Sequence, residues 1–437
     1  MPTRRSFLHT ASFAAAAAAI SQIPLLRADA EPDSSLLTNA NRQALERFLA
    51  AQPVLIDVVP LRTLDPSLTG RVLTHAGPPV RWPRMSGAQR GAAIAAILFE
   101  GWARNPAAAE QLAASGQVRF TPNHDHDGVG GMAGVLSPSM LVYVVRDRTS
   151  GKTTYSVHEY DALFGAYDAA ALDELYRWNT LYMPVIGRAV RALGGLELKP
   201  VMSQAIQMGD DLHCRQTAAS ALLANQLAPA IVRTSTDALA AATLEVLAAS
   251  PFLTFLPLAM GASKAALLAA TGIAGSTVVT VMARNGTEVG IQVSRSGGRW
   301  FTAPAPPIDA VFFPGFGPED ASHDLGDSAI TETGGLGAFA GAASPALAPE
   351  VGLTPDEFAD VTAKMARITV GRHTGLVIPQ LGYGPPVGID VTLVVKTRIT
   401  PVIATAVAHR EPGHRIIGLG LSRIPLACFQ QAAAWQP

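Results

Sequence analysis

The segment DAAALDELYRWNTLYMPVIGRAVRAL, residues 168–193, is where the chain changes its hydrophobic period. Leu172, Leu175, Tyr176, Leu181, Tyr182, Ile186, Val190 and Leu193 recur at spacings of three and four, which is a helix with one apolar stripe. Further helices are expected around 200–226 and over 236–249. N-terminal to the segment, helices are expected over 40–50 and 86–100. Strands are expected over 54–59, 116–120 and 140–145, and the unbroken apolar run 142–145 suits a strand covered on both faces. C-terminal to it, strands are expected at 277–283, 288–294, 310–313, 393–396 and 402–408. The pattern reads as α/β, more fully a complex α+β fold with mixed sheets and a small helical subdomain. The expected division is an N-terminal α/β domain over 31–165, a helical subdomain over 166–265 and a C-terminal α/β domain over 266–437.

Composition narrows the function classes. Of 437 residues, 49% are hydrophobic and 15% charged, with 33 basic and 34 acidic side chains. A near-neutral chain of this kind has no basic field for nucleic acid, and its apolar content excludes a disordered tail protein. Residues 1–30 carry Arg4-Arg5, an Ala-rich stretch and Ala28-Asp29-Ala30, and resemble a twin-arginine export signal, so a periplasmic location is expected, or a cytoplasmic one if that segment has another role. No membrane span is expected in the mature chain. The uncharged run 265–283 is broken by Thr271, Gly272, Gly275, Ser276 and Thr277, and reads as a helix end, a turn and a buried strand. Cys214 and Cys428 are read as independent thiols.

Four polar clusters could carry chemistry. The first is Asn123-His124-Asp125-His126-Asp127 followed by glycines to Gly134. If extended, it places His124 and His126 on one face and Asp125 and Asp127 on the other, as divalent-metal ligands or as a general base with its carboxylate. The second, Asp210-Asp211-Leu212-His213-Cys214-Arg215, is expected on a helix, where Asp210 and His213 lie one turn apart. The third, Arg284-Asn285-Gly286-Thr287, reads first as a hairpin turn. The fourth runs from Asp324 through Asp327, Thr331, Glu332, Thr333, Gly334 and Gly335 to Gly337. A helix starting there would offer free N–H groups to an anion. His409 ends an apolar strand, where open sheets bind ligands.

Six blocks in fixed order carry a family resemblance: His-Asp-x-Val-Gly-x-Met-Ala-Gly-Val-x-Ser-Pro-Ser-Met (126–140), Gln-Ala-x-x-Met-Gly-Asp-Asp-x-His-x-Arg (204–215), Met-x-Arg-Asn-Gly-Thr-Glu-x-Gly-Ile-x-Val-Ser (282–294), Gly-Asp-Ser-Ala-Ile-Thr-Glu-Thr-Gly-Gly-Leu-Gly (326–337), Pro-x-Gly-Ile-Asp-Val (386–391) and Ala-His-Arg-Glu-Pro-Gly (408–413). The chain thereby resembles the YlbE/AllG family, which is tied to oxamate carbamoyltransferase. The resemblance implies carbamoyl transfer between phosphate and the amide nitrogen of oxamate, with phosphate or carbamoyl phosphate as co-substrate. It also implies FdrA-like and AllH-like partner subunits, and a homo-oligomer is a further expectation. For that chemistry the 331–337 loop and Arg215 are expected to bind anions. His126 or His213 would act as acid/base, oriented by Asp127 or Asp210, and Asn285 would donate to a carbonyl. Asp327, Glu332 and His409 complete the candidate set. The alternatives are a metal-assisted amidohydrolase on the same scaffold and a non-catalytic subunit of a larger complex. The chain departs from the family pattern at Cys214, at Gln216 and in its N-terminal segment.

Overall fold

One helix organises the architecture. Leu256–Ala269 is buried along its whole length, as expected of a helix that is apolar on every side. Pro257 sits in its first turn, and Gly272 (φ +74) turns the chain out after it. It packs tightly on the main sheet at Gly261, where a Cβ would lie 2.9 Å from Val145 Cγ2. In this computed structural model the described residues are 37–249 and 254–436.

The helix packs on a five-stranded mixed sheet ordered Gly128–Val129, Thr153–Val157, Leu141–Asp147, Pro53–Pro60 and Leu196–Glu197. The pairs are antiparallel except the first, which is parallel. A four-stranded antiparallel sheet holds Phe301–Pro304, Glu288–Val293, Val279–Asn285 and Leu325–Gly326. A three-stranded antiparallel sheet holds Asp309–Phe312, Ile416–Arg423 and Val402–Ala408. The α+β class with mixed sheets is as expected from sequence. Helices dominate between residues 169 and 249. Among the described residues no helix is long and apolar enough to cross a membrane. Cys214 and Cys428 are both buried and unpaired. The export-signal reading falls on residues outside those described.

Several local expectations change. The 168–193 helix is interrupted by a π-helical turn, Trp178–Tyr182, between Ala169–Arg177 and Met183–Ala192. The single helix expected around 200–226 is two, Leu198–Gln207 and Thr217–Thr234. Gly209 (φ +100) and Leu212 (φ +64) break it, so the Asp210–Arg215 cluster lies in a loop and not on a helix face. The strand expected at 393–396 is the helix Val391–Thr397. Asp390 caps it by accepting from the N–H groups of Thr392 and Leu393, and that cap overrides the strand preference of a β-branched run. The hairpin Val279–Asn285/Glu288–Val293 forms as read, with Gly286 at φ +77.

Candidate active site

Five residues before its C-terminal end, the buried helix presents Lys264 to a cleft of about 520 Å³. Lys264 is 2% exposed, and its Nζ lies 3.2 Å from His124 Nδ1. His124 Nε2 in turn faces Asp327 Oδ1 at 3.4 Å. Asp327 is fixed from four directions. Its Oδ1 accepts from Gly77 N (2.8 Å), its Oδ2 accepts from Asn123 Nδ2 (2.9 Å) and Gly130 N (3.1 Å), and its own N–H donates to Gly130 O. The result is a buried series Lys264–His124–Asp327, with the lysine and histidine on the cleft wall. Trp300 closes one side, its ring edge-on to His124 with centroids 5.9 Å apart.

Burial sets the electrostatics. It lowers the Lys264 ammonium below the usual lysine range, although Asp127, Asp327 and Asp125 pull the other way. Burial also lowers His124, against the pull of Asp327, so the imidazole is held neutral. For Asp327 burial would raise the carboxyl, but His124 and the hydrogen bonds from Gly77 and Asn123 outweigh it and the net shift is downward. Burial makes the Lys264 ammonium a better proton donor than an exposed lysine, and it faces the imidazole directly.

The 123–127 cluster does not fit a metal ion. It is a short 3-10 turn, Asn123–His126, followed by Asp127 in the left-handed region (φ 57), so the two-residue alternation is lost. His124 faces Asp327. Asp125 Oδ1 accepts from Trp300 Nε1 (3.0 Å). His126 Nδ1 meets Asp65 Oδ2 (2.6 Å), with Nε2 against Thr121 Oγ1 (3.1 Å). Asp127 lines the cleft, and the carboxylate that orients His126 is Asp65. Among the described residues no group of three or more His, Cys, Asp or Glu side chains could hold a metal.

The expected anion loop is filled by the protein itself. The helix there is only Ile330–Thr333, followed by a 3-10 run from Gly337. The N–H groups of Gly334, Gly335, Leu336 and Gly337 donate to carbonyls of Ile330, Glu332, Thr331 and Asp211. Glu332 Oε1 takes the N–H groups of Ala338 (3.2 Å) and Ala404 (3.1 Å), and Thr331 Oγ1 donates to Oε2. Both Glu332 oxygens also lie within 2.9 Å of His213 Nδ1, so the orienting carboxylate of His213 is Glu332 and not Asp210. Thr333 Oγ1 donates to Ala329 O, and Gly334 O accepts from His373. Gly337, at φ +58, is where a Cβ would meet Glu332 Oε1 at 2.0 Å. We expect Gly337→Ala to cost about 2–4 kcal/mol through strain and displacement of that carboxylate, measured by denaturant unfolding; a loss under 0.5 kcal/mol would contradict it.

Other candidates are structural. Asp210 accepts from Arg215 (2.6 Å) and from Ala219 N, so Arg215 is engaged and not free for an anion. Asn285 donates to Pro78 O and accepts from Thr287 N and Glu288 N, closing its own turn. His409 stacks on His414 with centroids 3.8 Å apart and accepts from Glu411 N, away from the Lys264 cleft.

The structure adds Lys264, Trp300, Asp65 and Glu159 to the set. Glu159 is 2% exposed, and burial pushes it up to about 8. Between 4.5 and 8 an unfolded chain would ionise this group while the folded one does not, so its contribution to stability falls as pH rises through that window. Glu159→Gln removes the slope. In buffer free of potassium and ammonium, the variant should gain on the parent from pH 5 to pH 8 by on the order of 3 kcal/mol. A constant difference across that range would contradict the assignment.

Fold and cleft together define a mixed α+β protein with a polar pocket of small-molecule size. Residues 118–328 match the family described as oxamate carbamoyltransferase subunit AllG. The chain is 42% identical to the oxamate carbamoyltransferase subunit AllG of Escherichia coli K12 over 91% of its own length and 96% of that protein's. It is 41% identical to the uncharacterized protein YahG of the same organism, over 92% and 86% of the two chains. A crystal structure of a conserved protein of unknown function from Enterococcus faecalis V583 superposes with a TM-score of 0.88 at 39% identity, covering 92% of this chain and 98% of that one. The chain belongs to the AllG family.

Proposed function

We propose that this chain is a subunit of a carbamoyltransferase acting between phosphate and a small amide of the oxamate class. The observation that carries the reading is the Lys264 ammonium against His124 in a 520 Å³ cleft of an AllG-family protein. In the ureide direction an oxygen of hydrogen phosphate bonds to the carbamoyl carbon of oxalurate, and the bond from that carbon to the amide nitrogen breaks. Carbamoyl phosphate and oxamate result, and the proton of the attacking phosphate ends on the oxamate nitrogen. The Lys264–His124 pair gives that proton its route, taking it from phosphate oxygen and returning it to nitrogen, while Asp327 holds the imidazole.

One lysine against Asp125 and Asp127 leaves the cleft short of positive charge for a phosphate dianion. The missing cations are therefore assigned to a partner subunit, FdrA-like or AllH-like, which agrees with the description of the E. coli relative as a subunit. The test is oxalurate consumption with and without phosphate, by the chain alone and by the assembled subunits. Phosphate-dependent oxamate release is expected only from the assembly, and His124→Gln should lower it by about 10²–10⁴-fold. Oxalurate loss by the assembly that ignores phosphate would reject the transferase reading.

A further inference from the structure

A second, smaller cavity of about 40 Å³ shares none of its lining residues with the Lys264 cleft. Ser328 lines it, next in sequence to the Asp327 that backs the cleft. Its wall is mostly apolar, with Met132, Phe164 and Leu256 among its lining residues. Two buried polar side chains line it without being satisfied. The Oε1 of Gln216 makes no hydrogen bond, and the Glu159 carboxyl has only the Gly131 backbone N–H beside it, too poorly aligned for a full hydrogen bond, although these residues are only 1% and 2% exposed. The Gln216 amide is not ambiguous in orientation, because its Nε2 donates to His213 O at 2.8 Å and leaves the carbonyl oxygen over. The Glu159 carboxylate lies flat against Gly131, where a Cβ would come within 2.0 Å of Oε1.

Once Glu159 is ionised, above its raised pKa of about 8, every orphaned atom on this wall is an acceptor. Leaving an ionised carboxylate and an amide oxygen so poorly met in a buried wall is costly, so an occupant that donates or carries positive charge is called for. The surrounding field has the matching sign. Besides burial, Asp211 and Glu332 raise the Cys214 thiol at the cavity edge. The nearby donors are already matched, His213 by Glu332 and Arg284 by Asp324. Size narrows the choice further. A buried water needs about 10–15 Å³ on this measure, so the space admits two or three water-sized bodies and neither phosphate nor oxamate. One carboxylate and one amide oxygen are too few hard charged ligands for calcium or magnesium.

We propose that the Glu159–Gln216 cavity binds a desolvated monovalent cation of ammonium or potassium size. This goes beyond the transferase reading and stands without it. The test is the melting temperature of the purified chain at pH 8 in choline chloride, with lithium, sodium, potassium or ammonium chloride substituted at constant ionic strength. Potassium and ammonium should give a saturable rise of about 1–3 °C, lithium none, and both Glu159→Gln and Gln216→Leu should flatten the response. A slowly exchanging bound signal from ¹⁵N-ammonium separates the two ions. Its displacement by potassium marks a plain cation site, and a rise with ammonium alone marks recognition through N–H donors. Equal response to all four salts, or a response surviving in both variants, overturns the proposal and leaves water as the occupant. If Glu159→Gln does not fold, Gln216→Leu decides alone.

Discussion

On the carbamoyltransferase reading proposed above, Lys264→Met should cost the assembled subunits about 10³-fold or more in phosphate-dependent oxamate release while leaving the fold at least as stable. The two halves come from one observation. Nζ is the cation that reaches His124 Nδ1, and it does so from a helix buried on every side. Burial holds the ammonium below its ordinary pKa of 10.5, so the charged form carries a stability cost. That cost is full below the folded pKa and fades as pH rises from there to 10.5. The variant's gain in melting temperature should accordingly be largest at low pH and shrink as pH rises toward 10.5. Methionine fills a similar stem volume, which keeps the helix packed against Val145. Activity within tenfold of the parent, or a variant that melts well below it, would remove Lys264 from the role argued for it.

Asp324→Ala should be among the most destabilising single changes in the molecule, at about 3–5 kcal/mol. Arg284 and Asp324 are both wholly buried, joined through Nε and Oδ1 at 2.9 Å. The guanidinium also donates to Gly326 O and Thr405 Oγ1, so it ties two sheets together immediately before Asp327. Removing the carboxylate leaves a full charge in the core with only neutral acceptors. Replacing both partners, Arg284→Met with Asp324→Leu, should recover much of the loss because no uncompensated charge remains. Urea unfolding of the two variants decides it. A single-variant loss under 1 kcal/mol, or a double variant worse than the single, would contradict the account.

The sequence carried the class of fold and most strands, because apolar period and turn residues are local properties. It carried the site only in part. Period-two reasoning put His124 and His126 on one face, but one 3-10 turn sends them to Asp327 and Asp65. Spacing suggested Asp210 for His213, whereas the partner is Glu332, 119 residues away. No local rule sees such pairs. Lys264 did leave a signal: it is the sole charged residue between Glu245 and Arg284. A lone cation in so long an apolar stretch is costly to bury, and that cost marks it for use. Gly334, Gly335 and Gly337 suggested an external anion, whereas their N–H groups bond to the chain's own carbonyls.

Asp327 also sets a schedule for the growing polypeptide. Its hydrogen-bond donors at Gly77, Asn123 and Gly130 were made 250, 204 and 197 residues earlier. Closing loops of that length is slow and is rewarded only at the end. On the ribosome, then, the N-terminal sheet waits with those donors unmet until the segment around residue 327 emerges, and His124 is seated last. Nascent chains stalled before that point are the natural clients of a holding chaperone.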